Sequence, residues 1–171
     1  DAYMQDYITS RYRGGYSGLD PIPVGVDTTW IRCGDAAIGR AELGVGDRPV
    51  ILSVGHVIPL RDRVALVEAM PAVLRSHPDA VLAVVGKVYF DAFQRRAQEL
   101  GVADSVLALG AKPKAMIPHL LAAADLESHE QGDGRGTATL EAMAAGVPVV
   151  GWGRLDNFPG FDEGIPGAEF A

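Results

Sequence analysis

The sequence is short of cysteine, of long apolar runs and of positive charge, and each shortage excludes a class of protein. A single cysteine, Cys33, cannot form an internal disulfide, which is typical of a reducing cytosol. No apolar run approaches the ~20 residues that span a bilayer and we expect no signal peptide, so the sequence does not indicate a membrane contact. The net charge of −7 argues against nucleic-acid binding through a broad basic face. We therefore expect a cytoplasmic protein with no nucleic-acid partner.

Several common catalytic and metal-binding motifs are also missing. Lys87 follows Gly86 without the Gly-x4-Gly-Lys-Ser/Thr pattern of a P-loop, and there is no Gly-x-Ser-x-Gly nucleophile elbow. The acidic and imidazole groups of Glu127, His129 and Glu130 resemble a metal-ligand cluster. On an extended segment, however, side chains alternate between faces and do not converge. We expect no metal there, and interpret the three residues as a polar segment lining a pocket.

The order of apolar runs predicts an α/β fold. Short buried strands are predicted at Pro49–Gly55, Ala80–Gly86, Ser105–Gly110, Ala124–Ser128 and Val147–Val150, with a further short strand at Ile22–Asp27. Helices are predicted between them at Asp35–Leu43, Asp62–Ser76, Tyr89–Leu100 and Pro113–Ala123, with Pro71 expected to kink or restart the second. Such alternation favours a Rossmann-like parallel sheet with helices on both faces. Ligands of such sheets bind beyond the carboxyl ends of the strands.

The stretch from Asp133 to Glu141 (Asp-Gly-Arg-Gly-Thr-Ala-Thr-Leu-Glu) carries the strongest functional signal. Gly134 and Gly136 predict a tight loop, and Thr137 is predicted to cap a helix whose apolar positions are Leu140, Met143 and Ala144. The free backbone N–H groups at a helix start attract an anion such as phosphate. The flanking acids repel phosphate, so we expect them to meet sugar or ribose hydroxyls.

This stretch and the run Ala142-Met-Ala-Ala-Gly-Val-Pro-Val-Val150 resemble the acidic-pair motif (E-x7-E) of retaining GT-B glycosyltransferases, family 4-like. Asp133 stands where that family has its first Glu. The loop Gly55-His56-Val-Ile-Pro-Leu-Arg61 is similar to the family's Gly-Arg-x-x-x-x-Lys-Gly, with His56 in place of Arg and Arg61 in place of Lys. The resemblance covers about residues 20 to 150.

The resemblance implies a role for each site residue. Gly55, His56 and Arg61 would bind the diphosphate of a nucleotide sugar, where charge grows as the glycosidic bond breaks. An imidazole is mostly neutral at pH 7, and Lys87 is a further candidate to face the donor. The backbone of Ala111 and Lys112 would contact the nucleobase, and the backbone N–H groups of Gly134, Gly136 and Thr137 would bind the diphosphate. Glu141 would bind the ribose hydroxyls. Asp133, the catalytic candidate, would contact the transferred sugar.

The resemblance further implies that residues 1–171 form the carboxyl-terminal, nucleotide-sugar-binding domain of a longer two-domain enzyme. Residues 1–20 would lead into it, and the Gly- and Pro-rich residues 151–171 would be an irregular, truncated tail. The donor would be a UDP-, GDP- or ADP-sugar, with no cofactor or metal, and the acceptor would bind an amino-terminal domain absent here. We expect the isolated fragment to be inactive.

Two alternatives to a retaining transferase stay open. A sugar-nucleotide 2-epimerase uses the same architecture, and a non-catalytic Rossmann-like module would keep the fold for partner contacts. Val24 stands where the family usually has Asn, in a segment similar to its Ile-Pro-Asn-Gly-Val-Asp, and this departure favours the module, as do those at His56 and Asp133.

Overall fold

The computed structural model describes residues 8–11, 25–59, 61, 63–129 and 136–151. Within them lie five strands: β1 (Val50–Val54), β2 (Val81–Val85), β3 (Val106–Gly110), β4 (Leu126–His129) and β5 (Val149–Gly151). The α-helices after residue 24 are α1 (Thr28–Arg32), α2 (Ala36–Leu43), α3 (Arg63–Ser76), α4 (Ala92–Glu99), α5 (Ile117–Ala122) and α6 (Thr137–Ala145). Residues 8–11 are helical, and 3-10 turns occupy Ala103–Ser105 and Lys114–Met116.

The five strands form one parallel sheet in the order β3-β2-β1-β4-β5. The chain builds outward from β1 to β3, then returns to place β4 on the other side of β1. Loops leaving β1 and β4 therefore diverge at the carboxyl edge, which is where open parallel sheets bind ligands. The predicted Rossmann-like fold is confirmed.

Both faces of the sheet are covered. Strand β2 is buried at all five positions; Val81, Ala83 and Val85 pack into one core, and Leu82 and Val84 into the other. The first core is closed by α1, α2, α5 and α6, and the second by α3 and α4. A strand with two buried faces needs the continuous apolar run that the sequence has there.

Helices α2 and α5 pack backbone to backbone at Gly39. A Cβ atom at Gly39 would overlap the carbonyl oxygen of His119 in α5. Helix α2 is capped by Asp35, whose carboxylate accepts from the N–H groups of Ala37 and Ile38. The backbone N–H of Asp35 in turn donates to Nδ1 of His119 at 3.0 Å. Helices α2 and α5 are therefore held against each other on one face of the sheet.

Most predicted elements are confirmed, with three corrections. Residues 25–27 are irregular rather than a strand, since the Asp27 carboxylate accepts from the N–H of Trp30 and caps α1, a helix that the sequence analysis did not predict. The helix predicted from Tyr89 begins at Ala92, because Val88 pairs with Val57 in an isolated parallel bridge and the adjoining backbone is extended. Helix α3 continues through Pro71 without a restart.

Some predictions fall on residues that are not described. Residues 22–24 of the predicted first strand and the capping position Asp62 lie outside the described part of the chain. So do the segments 1–20 and 151–171, apart from residues 8–11 and Gly151. Among the described residues, no helix is both long enough and apolar enough to cross a bilayer.

Candidate functional site

The predicted site residues that are described follow three different elements at the carboxyl edge of the sheet. Gly55, His56 and Arg61 follow β1, Ala111 and Lys112 follow β3, and Gly136, Thr137 and Glu141 lie at the start of α6. Asp133 and Gly134 lie outside the described residues, so their predicted roles stay predictions.

Gly55 provides the seat for Arg61. A Cβ atom at Gly55 would overlap Nη1 of Arg61, so the guanidinium lies directly over the bare Cα at the end of β1. Gly55 also has a backbone φ angle of +140°, which residues other than glycine rarely adopt. A fixed cation is thus held at the point where the central strand leaves the sheet. This position is suited to an anionic group.

A second arginine, Arg63, is buried next to this seat. It begins α3 and is only 2% exposed. Burial lowers the pKa of Arg63 to about 10; the like charge of Arg61 adds to this lowering, and the carboxylate of Glu127 opposes it. At neutral pH Arg63 therefore remains a cation beneath the loop. Sequence reasoning missed it, because a charge two residues after Arg61 is typical of a solvated helix start.

Glu127 occupies a different place from the predicted pocket wall. It lies in β4 and is fully buried, where its charge acts on Arg63. Ser128 beside it is also buried, and its carbonyl oxygen accepts a hydrogen bond from the hydroxyl of Ser53 in β1 at 2.7 Å. Within the described ranges no three His, Cys, Asp or Glu side chains come together as a metal site. Glu127 is therefore a buried carboxylate whose charge acts on Arg63, not a residue of the pocket wall.

His56 is exposed beside Arg61 and contacts an aromatic side chain of the next loop. Its ring lies 5.7 Å from the ring of Tyr89, at an interplanar angle of 75°. Below this surface, a partly open pocket between the two loops is lined by Val57, Pro59, Arg61 and Phe90, among others. The loops after β1 and β2 therefore form one continuous rim.

Helix α6 starts one residue earlier than its predicted cap implies. Gly136 is the N-cap residue and has no side chain to offer, and Thr137 is the first helical residue, so the predicted Thr137 cap is wrong. The first N–H groups of α6 thus have no side-chain cap, as an anion site requires. The buried positions are Thr139 and Ala142. The predicted apolar face at Leu140, Met143 and Ala144 is only partly buried.

Glu141 lies about one turn into α6 and is partly buried. Burial raises the pKa of Glu141, and the nearby Lys114 ammonium opposes this rise. Lys114 itself lies 5.3 Å from the centroid of the Trp30 ring in α1. Helix α1 is tied to α6 by Arg32, whose Nε donates to the carbonyl oxygen of Ala144 at 3.1 Å. Glu141 therefore faces the segment that follows β3.

That segment also contains Ala111 and Lys112. Ala111 is exposed, and Nζ of Lys112 is 2.6 Å from Oε1 of Glu42 in α2. Because its ammonium is paired with Glu42, Lys112 is better placed to offer backbone than charge. The structure brings Glu141 close to the neighbouring Lys114, a pairing that no spacing in the sequence indicated.

Comparison with known proteins identifies the family. Residues 37–153 match the family model described as Glycosyl transferases group 1. A D-inositol 3-phosphate glycosyltransferase of Segniliparus rotundus is 36% identical over 153 residues, covering 84% of this chain and 34% of that protein. A GDP-mannose-dependent alpha-(1-6)-phosphatidylinositol monomannoside mannosyltransferase of Mycolicibacterium smegmatis is 33% identical over 171 residues, covering 92% of this chain and 44% of that protein. The chain spans less than half the length of these curated relatives.

Solved structures give the same picture. WaaG, a glycosyltransferase involved in lipopolysaccharide biosynthesis, is 25% identical with a TM-score of 0.73, over 88% of this chain and 42% of that one. Anabaena HepE in complex with UDP and glucose is 26% identical with a TM-score of 0.64, over 74% of this chain and 36% of that one. The predicted relationship to GT-B glycosyltransferases is confirmed, and the chain belongs to the group 1 glycosyl transferases.

Proposed function

We propose that this chain is the nucleotide-sugar-binding part of a glycosyltransferase that moves a hexosyl group from a UDP-, GDP- or ADP-sugar to an acceptor hydroxyl, with retention of anomeric configuration. The observation that carries the proposal is the arginine seat: Nη1 of Arg61 lies over the bare Cα of Gly55 at the carboxyl end of β1. The HepE structure contains UDP, and the mycolicibacterial relative is named as GDP-mannose-dependent, which supports a nucleotide diphosphate donor. The curated relatives named above are transferases, which favours transfer over an epimerase or a non-catalytic module.

Each residue then has a physical task. Arg61 neutralises the charge that develops on the leaving diphosphate, and the uncapped N–H groups at Gly136 and Thr137 add donors on the other side. Glu141 accepts hydrogen bonds from the ribose hydroxyls, which a carboxylate can do with both oxygens. Asp133 contacts the transferred sugar. The mechanism requires no metal ion, because the protein's own cations and helix start stabilise the diphosphate. The acceptor binds elsewhere in the longer protein.

Calorimetric titration of this chain with UDP, GDP and ADP tests the proposal. We expect weak binding of at least one nucleotide without turnover of its sugar conjugate. Arg61→Met should weaken that binding roughly 10- to 100-fold, since a hydrogen bond to a charged group contributes about 1.5–3 kcal/mol. Arg75→Met is the matched control, because Arg75 lies in the last turn of α3, away from the carboxyl edge. A folded chain that binds none of the three nucleotides would refute the proposal, as would equal affinities of the two variants.

The reaction itself is tested in a longer protein that contains this chain. The anomeric configuration of the product, read by NMR, should match that of the donor. Consumption of the donor sugar without any acceptor, with conversion to its 2-epimer, would point to the epimerase instead.

A further inference from the structure

The loops after β1 and β2 are joined through their backbones. The N–H of Val57 donates to the carbonyl oxygen of Lys87, and the N–H of Tyr89 donates to that of Val57, both at 3.0 Å. At Gly86 the two loops approach so closely that a Cβ atom would overlap the carbonyl oxygen of Gly55. We call this junction the loop seam. It fixes Lys87 and Tyr89 relative to the seat of Arg61, although they come from different loops.

Tyr89 holds two nitrogen-bearing groups against its ring. Nζ of Lys87 lies 4.9 Å from the ring centroid, within cation–π range, and the His56 imidazole meets the same ring edge to face. Tyr89 is 60% exposed, so this group stands at the surface of the rim. An exposed lysine normally samples many rotamers, and the cation–π contact favours those that keep Nζ of Lys87 at the Tyr89 ring.

Two acidic residues of the neighbouring elements, Asp91 and Glu127, interact with arginines. Asp91, which follows the loop, lies with its Oδ1 3.4 Å from Nη2 of Arg95 one turn further on. Glu127 lies below the loop and acts on the buried Arg63. Each of these two acids therefore has an arginine with which it interacts.

We propose that Lys87, held over the ring of Tyr89, supplies the second cation of the diphosphate site. It would act together with Arg61, and His56 would contribute hydrogen bonding rather than permanent charge. The inference rests on the proposed function, and it assigns the charge to a neighbouring loop rather than to position 56. Lys87 is a donor-contacting residue in this view, and Tyr89 is a positioning residue.

The test is titration of folded variants with the nucleoside diphosphate that the unaltered chain binds best, and separately with inorganic pyrophosphate. Lys87→Met should weaken both about fivefold to tenfold and flatten the dependence of affinity on salt, because one fewer cation contributes. Lys87→Arg should restore most of the affinity. Tyr89→Leu should produce a smaller loss of the same kind, since it releases Lys87 without removing it. Arg75→Met is the matched control for loss of an exposed positive charge and should change neither affinity, because Arg75 lies in the last turn of α3, away from the loops after β1 and β2.

The outcomes separate this inference from the proposed function. If Lys87→Met binds like Arg75→Met while Arg61→Met still binds weakly, Lys87 has no role and the proposed function stands. If neither Lys87→Met nor Arg61→Met changes binding, both fail. A salt dependence that stays unchanged in Lys87→Met would also overturn the assignment, because a merely structural role would leave it untouched. Thermal melts of each variant confirm folding before titration.

Discussion

The buried pair of Arg63 and Glu127 allows a sharp test of what stabilises the site. Arg63 is 2% exposed and Glu127 is fully buried. Glu127→Gln keeps the shape of the side chain but removes the negative charge that favours the charged form of the buried Arg63. If the two opposite charges stabilise each other, removing one of them should cost about 3–5 kcal/mol, because the remaining charge stays buried. Arg63→Met should cost a similar amount for the same reason.

The double variant tests whether the cost of each single change comes from the charge that is left buried. Replacing both members with apolar side chains removes both desolvation penalties, and such replacements are neutral or stabilising by about 1–4 kcal/mol. Arg63→Met combined with Glu127→Met should therefore be at least as stable as the unaltered chain, although each single variant is much less stable. In thermal melts each single variant should lose roughly 6–20 °C, at about 2–4 °C per kcal/mol for a domain of this size.

Urea unfolding of the four proteins measures the coupling between the two residues. We expect midpoints to move while the slope with denaturant stays constant, as a change in stability alone requires. Glu68→Gln is the control: Nε of Arg96 lies 2.9 Å from Glu68, but both side chains are substantially exposed, so the loss should stay below about 1 kcal/mol. Single losses that simply add in the double variant would show that the two charges do not stabilise each other.

Three further predictions concern the helices around the site. Burial raises the pKa of Glu141 from 4.5, so as pH rises the unfolded chain releases this proton before the native state does. The free energy of unfolding therefore falls as pH rises from 4.5 through the raised pKa. Glu141→Gln should thus gain stability relative to the unaltered chain between pH 4 and 7, by urea unfolding; a constant difference would contradict this. Thr139→Val should lose no stability, since the buried hydroxyl has no hydrogen-bond partner in the described part of the chain; a loss above about 1 kcal/mol would mean that it has one. Gly39→Ala should destabilise by about 1–3 kcal/mol through overlap with α5, whereas the same change at an exposed helix position stabilises by up to about 1 kcal/mol.

The sheet was predictable because its strands are written as apolar runs. Residues 80–86 contain the whole of β2, and a run of this kind suits a strand that packs on both faces. The glycine after each of the first two strands was equally informative, since Gly55 and Gly86 mark the points where backbones or side chains approach too closely for a Cβ atom. These signals are local, so the sequence alone reveals them.

The arrangement of charges within the site was not predictable in the same way. Arg63 looks like a solvated helix residue until β4 places Glu127 beneath it. Residues 89–91 fit a helical pattern, but the parallel bridge between Val57 and Val88 keeps the preceding backbone extended, and the helix begins at Ala92. In each case a distant element decides the outcome, and a single sequence carries no record of that contact.

The loop seam has a consequence for how this family can vary. Its two hydrogen bonds join main-chain atoms of Val57, Lys87 and Tyr89, and neither depends on the identity of a side chain. Substitutions at positions 56 and 87 should therefore leave the backbone of the loop seam in place. At Gly55 and Gly86, by contrast, a side chain would overlap Nη1 of Arg61 and the carbonyl oxygen of Gly55 respectively.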